Sequence, residues 1–162
     1  MTIKITVTEA IDIPGSPCDV WDYTQDFSRR PDWDSSILSA EVIGTKPAPR
    51  VRIVGPGGLR CTFQYKRFDR PRRTSLAMVE VQSPFLAGGA GSWSYDAKGD
   101  GTRWKQTNTL IFKIGYLRWL VRRLLTIVLR YQTRRAMVRV QNKFEMRQPN
   151  QPFQPDRASP RR

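Results

Sequence analysis

Between Ile37 and Lys113 the chain reads as six strand-like runs in succession, near 37–43, 50–54, 59–69, 74–82, 90–98 and 102–113. None of the connections leaves room for a crossover helix, so neighbouring runs must pair antiparallel, and the stretch predicts a meander. Turn signals separate the runs: Lys46-Pro47-Ala48-Pro49, Gly55-Pro56-Gly57-Gly58, Asp69-Arg70-Pro71-Arg72-Arg73, Ser83 to Gly89, and Gly99-Asp100-Gly101. In the last run Trp104, Gln106, Asn108, Leu110 and Phe112 share one parity, while Arg103, Lys105, Thr107, Thr109 and Lys113 share the other. The basic parity faces water. Gln106 and Asn108 then point inward, where buried amides need a partner from a ligand, water or the backbone.

Before the meander, Ile3, Ile5, Val7, Ile11 and Ile13 alternate with polar residues, as a half-buried strand requires. Pro14-Gly15 breaks that strand. Ser16 as N-cap, Pro17 in the first turn and Asp19 near the positive end of the dipole predict a short helix through Phe27, and Ser28 is placed to cap a second brief turn through Trp33. After the meander, a long helix is predicted over about 116–146. Its apolar stripe is Leu117, Leu120, Val121, Leu124, Ile127, Val128 and Tyr131, expected to pack on the sheet. Beyond Tyr131 the projected line meets Arg135 and Arg139, while Ala136, Met137, Val140 and Phe144 gather on another side, so a change of partner is expected there, through a kink as the simplest cause or else a dimer or membrane-surface contact. Residues 1–146 are expected to form one domain, and 147–162 a disordered, basic, Pro-rich tail.

The sequence contains no His, which removes Ser-His-Asp and Cys-His nucleophile systems, histidine zinc sites and the imidazole acid/base. Net charge is +14, and residues 115–162 carry twelve Arg or Lys against two acids, Glu145 and Asp156, so +10 of it lies there. Arg130, Arg134, Arg135, Arg139 and Lys143 form a candidate basic surface for an anionic membrane or RNA, against the plainer reading of a solvated helix face. Cys18 and Cys61 form no CxxC, and no signal-peptide pattern opens the chain, so a reducing, cytoplasmic setting is expected, with peripheral membrane association as an addition. Gly55-Pro56-Gly57-Gly58 lacks the Lys-Ser/Thr of a phosphate loop and reads as a hairpin. The segment from Pro84 to Gly89 reads as a plain loop, with a lid over a cavity as its functional alternative. Asp22, Asp26, Asp32 and Asp34 read as capping and solvating acids, so no metal site and no cofactor are expected.

The order strand, two short helices, six strands, long helix resembles the START-like helix-grip superfamily, also called SRPBCC. Within it the chain is similar to the polyketide cyclase/dehydrase branch. The matching segments are Ile11-Asp12-Ile13-Pro14-Gly15-Ser16-Pro17 with Val20-Trp21-Asp22-Tyr23, Asp26-Phe27-Ser28 leading to Trp33-Asp34, Phe68-Asp69-Arg70-Pro71-Arg72-Arg73, and Gly99-Asp100-Gly101-Thr102-Arg103. The resemblance covers about residues 3–146. It implies an α+β fold in which a curved seven-stranded antiparallel sheet wraps around the C-terminal helix, with a cavity between them for a hydrophobic ligand.

Residues on plausible inward parities supply the candidate lining: Trp33, Phe63, Tyr65, Trp93, Tyr95, Trp104 and Phe112, oriented by Gln106 and Asn108. The first functional reading is binding of a hydrophobic or aromatic small molecule. An enzyme of the cyclase or dehydratase kind would use the same cavity, with Tyr65, Tyr95, Gln106, Asn108 and Glu80 as its polar supply, but no linked acid/base set is legible. Catalytic residues are therefore unassigned. The third reading is an interaction protein that meets membrane or RNA through the basic helix, and a homodimer is a further alternative.

Overall fold

The computed structural model describes residues 2–44, 49–113 and 118–146, with the side chains of 118–120 excepted. The tail from 147 onward, the start of the long helix and most of the Lys46-Pro47-Ala48-Pro49 turn lie outside them. The elements are β1 (Thr2–Pro14), α1 (Pro17–Gln25), a 3-10 turn (Phe27–Arg29), α2 (Arg30–Trp33), β2 (Ser39–Ile43), β3 (Arg50–Val54), a 3-10 turn (Pro56–Gly58), β4 (Arg60–Asp69), β5 (Arg73–Gln82), β6 (Leu86–Lys98), β7 (Gly101–Lys113) and α3 (Arg118–Glu145). The strands form one curved antiparallel sheet in the order β1-β7-β6-β5-β4-β3-β2, so β1 closes the meander by pairing with its last strand. This is the helix-grip arrangement.

Ser16 caps α1 as expected: its Oγ accepts from the Asp19 N–H at 3.2 Å and donates to Asp19 Oδ2 at 2.6 Å. Ser16→Ala is expected to lower stability by about 1 kcal/mol in urea unfolding. The second turn differs from expectation, because Asp26 rather than Ser28 caps it, accepting from the Ser28 N–H at 3.0 Å and from its hydroxyl at 2.6 Å. A carboxylate there meets the exposed amides of a helical N-terminus with full charge.

The expectation for α3 is overturned. Leu124, Ile127, Val128 and Tyr131 are exposed, and the face on the sheet is instead Leu125, Leu129, Thr133, Ala136, Met137, Val140 and Phe144. That single row, spaced by three and four, runs along the helix without a change of partner, so no kink is needed. The helix has two apolar faces, and the longer one is buried. Its C-terminal end is seated by Gly15: a Cβ there would lie 2.9 Å from Phe144 Cδ1, and φ is +148°, so the helix approaches as closely as it does because that position has no side chain.

The core joins this row to β1, the two short helices and the concave face of the sheet, through Ile11, Ile13, Val20, Trp21, Tyr23, Phe27, Trp33, Tyr95 and Trp104. A smaller cluster, Ile5, Val7 and Leu129, takes Leu110 and Phe112 at its edge. The segment expected as a loop or lid is also different: from Leu86 onward it is strand, paired with β7 from Leu86 with Phe112 to Lys98 with Gly101. Glycine-rich sequence here marks a wall with few side chains rather than a free connection. On its other side β6 pairs with β5 only from Arg73 with Ser94 to Ala77 with Ala90, although β5 continues to Gln82.

Candidate functional site: a cavity between sheet and helix

A cavity of about 180 Å³ lies between the concave face of the sheet, the α2 region and α3. Cys61 and Phe63 on β4, Leu76 and Met78 on β5, Trp93 on β6, and Gln106 and Asn108 on β7 form its floor. Leu129 and Gln132 of α3, with Phe27, Arg30, Asp34 and Ile37, complete the wall. Gly91, also in the lining, makes room for a neighbouring ring. The Trp93 indole lies over that glycine, where an added Cβ would stand 2.6 Å from the ring.

Of the nine candidate lining residues, Phe63, Trp93, Gln106 and Asn108 line this cavity. The other five belong to packed layers beside it. Trp33, Tyr95 and Trp104 form a ring stack in the core, with Trp33 edge-on to Trp104 at 5.8 Å and Tyr95 parallel to Trp104 at 6.3 Å. Tyr65 meets Phe27 and Phe68 edge-on, and Phe112 packs on the smaller cluster. Inward parity puts a residue in the interior, but only its depth along the strand decides whether it meets the hollow or the solid core.

Gln106 Nε2 donates to Asn108 Oδ1 at 3.2 Å, and Asn108 Nδ2 donates to Thr133 Oγ1 of α3 at 3.0 Å. The two amides thus form a polar seam between β7 and the helix. Opposite them stands Arg30, which the sequence reading missed. Its guanidinium carbon lies 4.3 Å from the Trp33 ring centroid, 5.0 Å from Trp93 and 5.4 Å from Phe27. Nη1 donates to the Thr24 carbonyl at 3.2 Å, and Nε is 3.5 Å from Asp34 Oδ2. The signal was present: Phe27, Arg30 and Trp33 are spaced by three, which puts all three on one face of a helical turn. Among the lining residues, Arg30 Nε, Trp93 Nε1 and Gln106 Oε1 are buried without a hydrogen-bond partner. Each such atom is costly, and each is offset only by a group that can complete the bond.

Burial pushes the Cys61 thiol up to about 11 and the Tyr95 phenol up to about 12, and it drives Tyr65 further in the same direction. For Tyr95, hydrogen bonds with Thr24 at 2.7 Å and from Gln25 at 2.8 Å pull partly the other way. These groups are neutral at physiological pH, so none serves as a general base there. In the unfolded chain they ionise at their ordinary values of 9.0 and 10.0, while the folded state still holds the proton. Their contribution is therefore complete below pH 9 and declines as pH rises through the folded values. The urea midpoint is expected to be lower at about pH 10.5 than at about pH 8, and an unchanged or higher midpoint would contradict this assignment. Both cysteines are unpaired, Cys18 exposed and Cys61 buried.

Arg130 pairs with Glu9 of β1 at 3.2 Å, and Arg134 reaches the same carboxylate at 3.7 Å and donates to the Ala10 carbonyl at 3.2 Å. Arg135 and Lys143 are exposed on α3, and Arg139 is half-buried. Among the described residues no three His, Cys, Asp or Glu side chains converge on a metal position. No described helix is long and apolar enough to cross a membrane.

Comparison with solved structures places this fold among known ones. The Thermus thermophilus protein TTHA0849 superposes with a TM-score of 0.71 at 19% identity, over 88% of this chain and 97% of that one. The Zhui aromatase/cyclase from Streptomyces sp. R1128 gives 0.69 at 15% identity over 88% and 94%, and a START superfamily protein from Mycobacterium smegmatis gives 0.67 at 13% over 86% and 97%. No curated protein matches the chain in sequence. At these identities the structural likeness establishes the fold. The sequence profile of one family runs from β1 through α3, covering residues 4–145, and the chain belongs to that family, described as polyketide cyclase / dehydrase and lipid transport.

Proposed function

We propose that the protein binds a small, ring-containing hydrophobic molecule in the cavity, with Phe63 and Trp93 against its apolar body and Gln106 and Asn108 near its polar end. The observation that carries this reading is an apolar hollow of about 180 Å³ whose lining residues include two buried polar atoms that lack partners, Trp93 Nε1 and Gln106 Oε1. An engineered cavity of about 150 Å³ already takes up benzene, so the volume suits one or two rings. One unpaired donor and one unpaired acceptor favour a ligand bearing a hydroxyl or carbonyl oxygen. The free thiols suit the reducing cytoplasm as its location.

Native mass spectrometry of the freshly purified protein, followed by extraction of what it carries, tests the reading. Wild type is expected to hold a small organic molecule or to take up 1-naphthol. Met78→Trp, which fills the hollow from the β5 side, is expected to lose both while keeping its unfolding temperature. Equal uptake by the two proteins would place binding elsewhere. A cyclase or dehydratase in the same cavity is the reading that Arg30 favours, since a guanidinium polarises a carbonyl. It requires turnover of a poly-β-keto substrate that disappears in Arg30→Gln while binding persists.

A further inference from the structure

We infer that the outward face of α3 docks the protein on a membrane that carries anionic phospholipid. Leu124, Ile127, Val128 and Tyr131 are 61%, 65%, 41% and 63% exposed. At ~100° per residue they fall within about 100° of arc, nearly opposite the row that packs on the sheet. Four large apolar side chains held together in water on one helix face are a surface awaiting a partner.

The charge around them selects that partner. From Arg118 to Glu145 the helix carries eight Arg or Lys and one acid, at its last position. By helical geometry Arg123, Arg130 and Arg134 flank the stripe on one side, Arg135 continues its line and Arg139 flanks the other. Glu9 holds Arg130 and Arg134 beside the stripe, while Arg122, Arg123 and Arg135 form no ion pair among the described residues. Apolar residues edged by arginines match the boundary between acyl chains and phosphate headgroups, with the helix lying in its plane. RNA suits the surface less well, because single-stranded nucleic acid stacks on aromatic platforms and three of the four exposed residues are aliphatic. A second copy would bring like charges face to face. The chain's own C-terminal segment, with Arg147, Arg157, Arg161 and Arg162 against Asp156, has the same sign as the helix.

This goes beyond ligand binding and connects to it, since Leu129 and Gln132 of the same helix line the cavity. Docking would bring a wall of the hollow to the lipid, the natural reservoir of a hydrophobic molecule.

Flotation of the full-length protein with vesicles tests the inference. The protein is expected to float with phosphatidylglycerol–phosphatidylcholine vesicles and not with phosphatidylcholine alone, and to be released by high salt. Ile127→Asp, at an exposed position, is expected to reduce binding at least about tenfold with an unchanged unfolding temperature. Arg123→Gln combined with Arg135→Gln is expected to weaken binding to anionic vesicles. The cavity-filled Met78→Trp protein is expected to float like wild type, which separates this inference from the ligand reading. It is overturned by any of four results: no binding to anionic vesicles, wild-type binding by Ile127→Asp, a solution dimer that Ile127→Asp turns into monomer, or RNA binding tighter than vesicle binding and indifferent to Ile127→Asp.

Discussion

Trp104→Ala is expected to destabilise the protein by about 3–5 kcal/mol, measured as the free energy of urea unfolding. The ring is fully buried, edge-on to Trp33 and parallel to Tyr95, and the residue pairs with Ile11 of β1 on one side and Tyr95 of β6 on the other. Removing it leaves a void where the closing strand, the middle of the sheet and α2 meet, and close-packed neighbours collapse only partly into such a void. The indole also interacts with the Tyr95 phenol, last among the causes acting on that group, so the loss is mainly of packing. Lys105→Ala, one residue on and exposed, is expected to change stability by no more than about 0.5 kcal/mol. Because Trp104 does not line the cavity, Trp104→Phe is expected to leave ligand uptake intact. Equal, small effects of the two alanine substitutions would mean that this face is loosely packed.

Arg30→Ala is expected to destabilise by a similar amount, about 3–5 kcal/mol, for a different reason. The side chain is almost wholly buried, sandwiched among three rings, and among the described residues it pairs with one carboxylate, Asp34, itself mostly covered. Truncation strands that charge and leaves the Thr24 carbonyl without its donor. The pair Arg30→Met with Asp34→Asn is therefore expected to recover most of the loss: methionine refills the space, and the amide can still accept from the Ser36 N–H, as Asp34 Oδ1 does at 3.1 Å. If the double substitution is no better than the single one, the guanidinium stabilises through its contacts with the rings and not through charge balance.

The sheet could be read from the sequence because its signals are local. Strict alternation in β1 and β7 and a proline or glycine turn at each break leave little freedom in strand order. The partner face of α3 could not be read the same way. Periodicity finds apolar faces, and this helix has two; the one with larger aliphatic residues near its start is exposed, while the buried one includes Thr133 and Ala136. What decides between them is the assembled core, to which Gly15, more than a hundred positions away, contributes by admitting Phe144. The burial of Arg30 is not legible in the sequence, because a charged residue in a short turn ordinarily faces water and only the assembled rings of Phe27, Trp33 and Trp93 enclose it. Alternation located Phe63, Trp93, Gln106 and Asn108 on inner faces, but how far along each strand the solid core ends is a property of the packed assembly.

The partial pairing of β5 with β6 bears on what size of guest the protein accommodates. Five residue pairs, from Arg73 with Ser94 to Ala77 with Ala90, are all that stitch the β2-to-β5 half of the sheet to the half containing β6, β7 and β1. Beyond that stitch the far end of β5 has no ladder to β6, so parting the two there would break side-chain contacts but no rung of the sheet. Met78 on one side and Leu86 on the other would move apart first. For the ligand proposed above, this seam is where extra room would cost the fewest backbone hydrogen bonds.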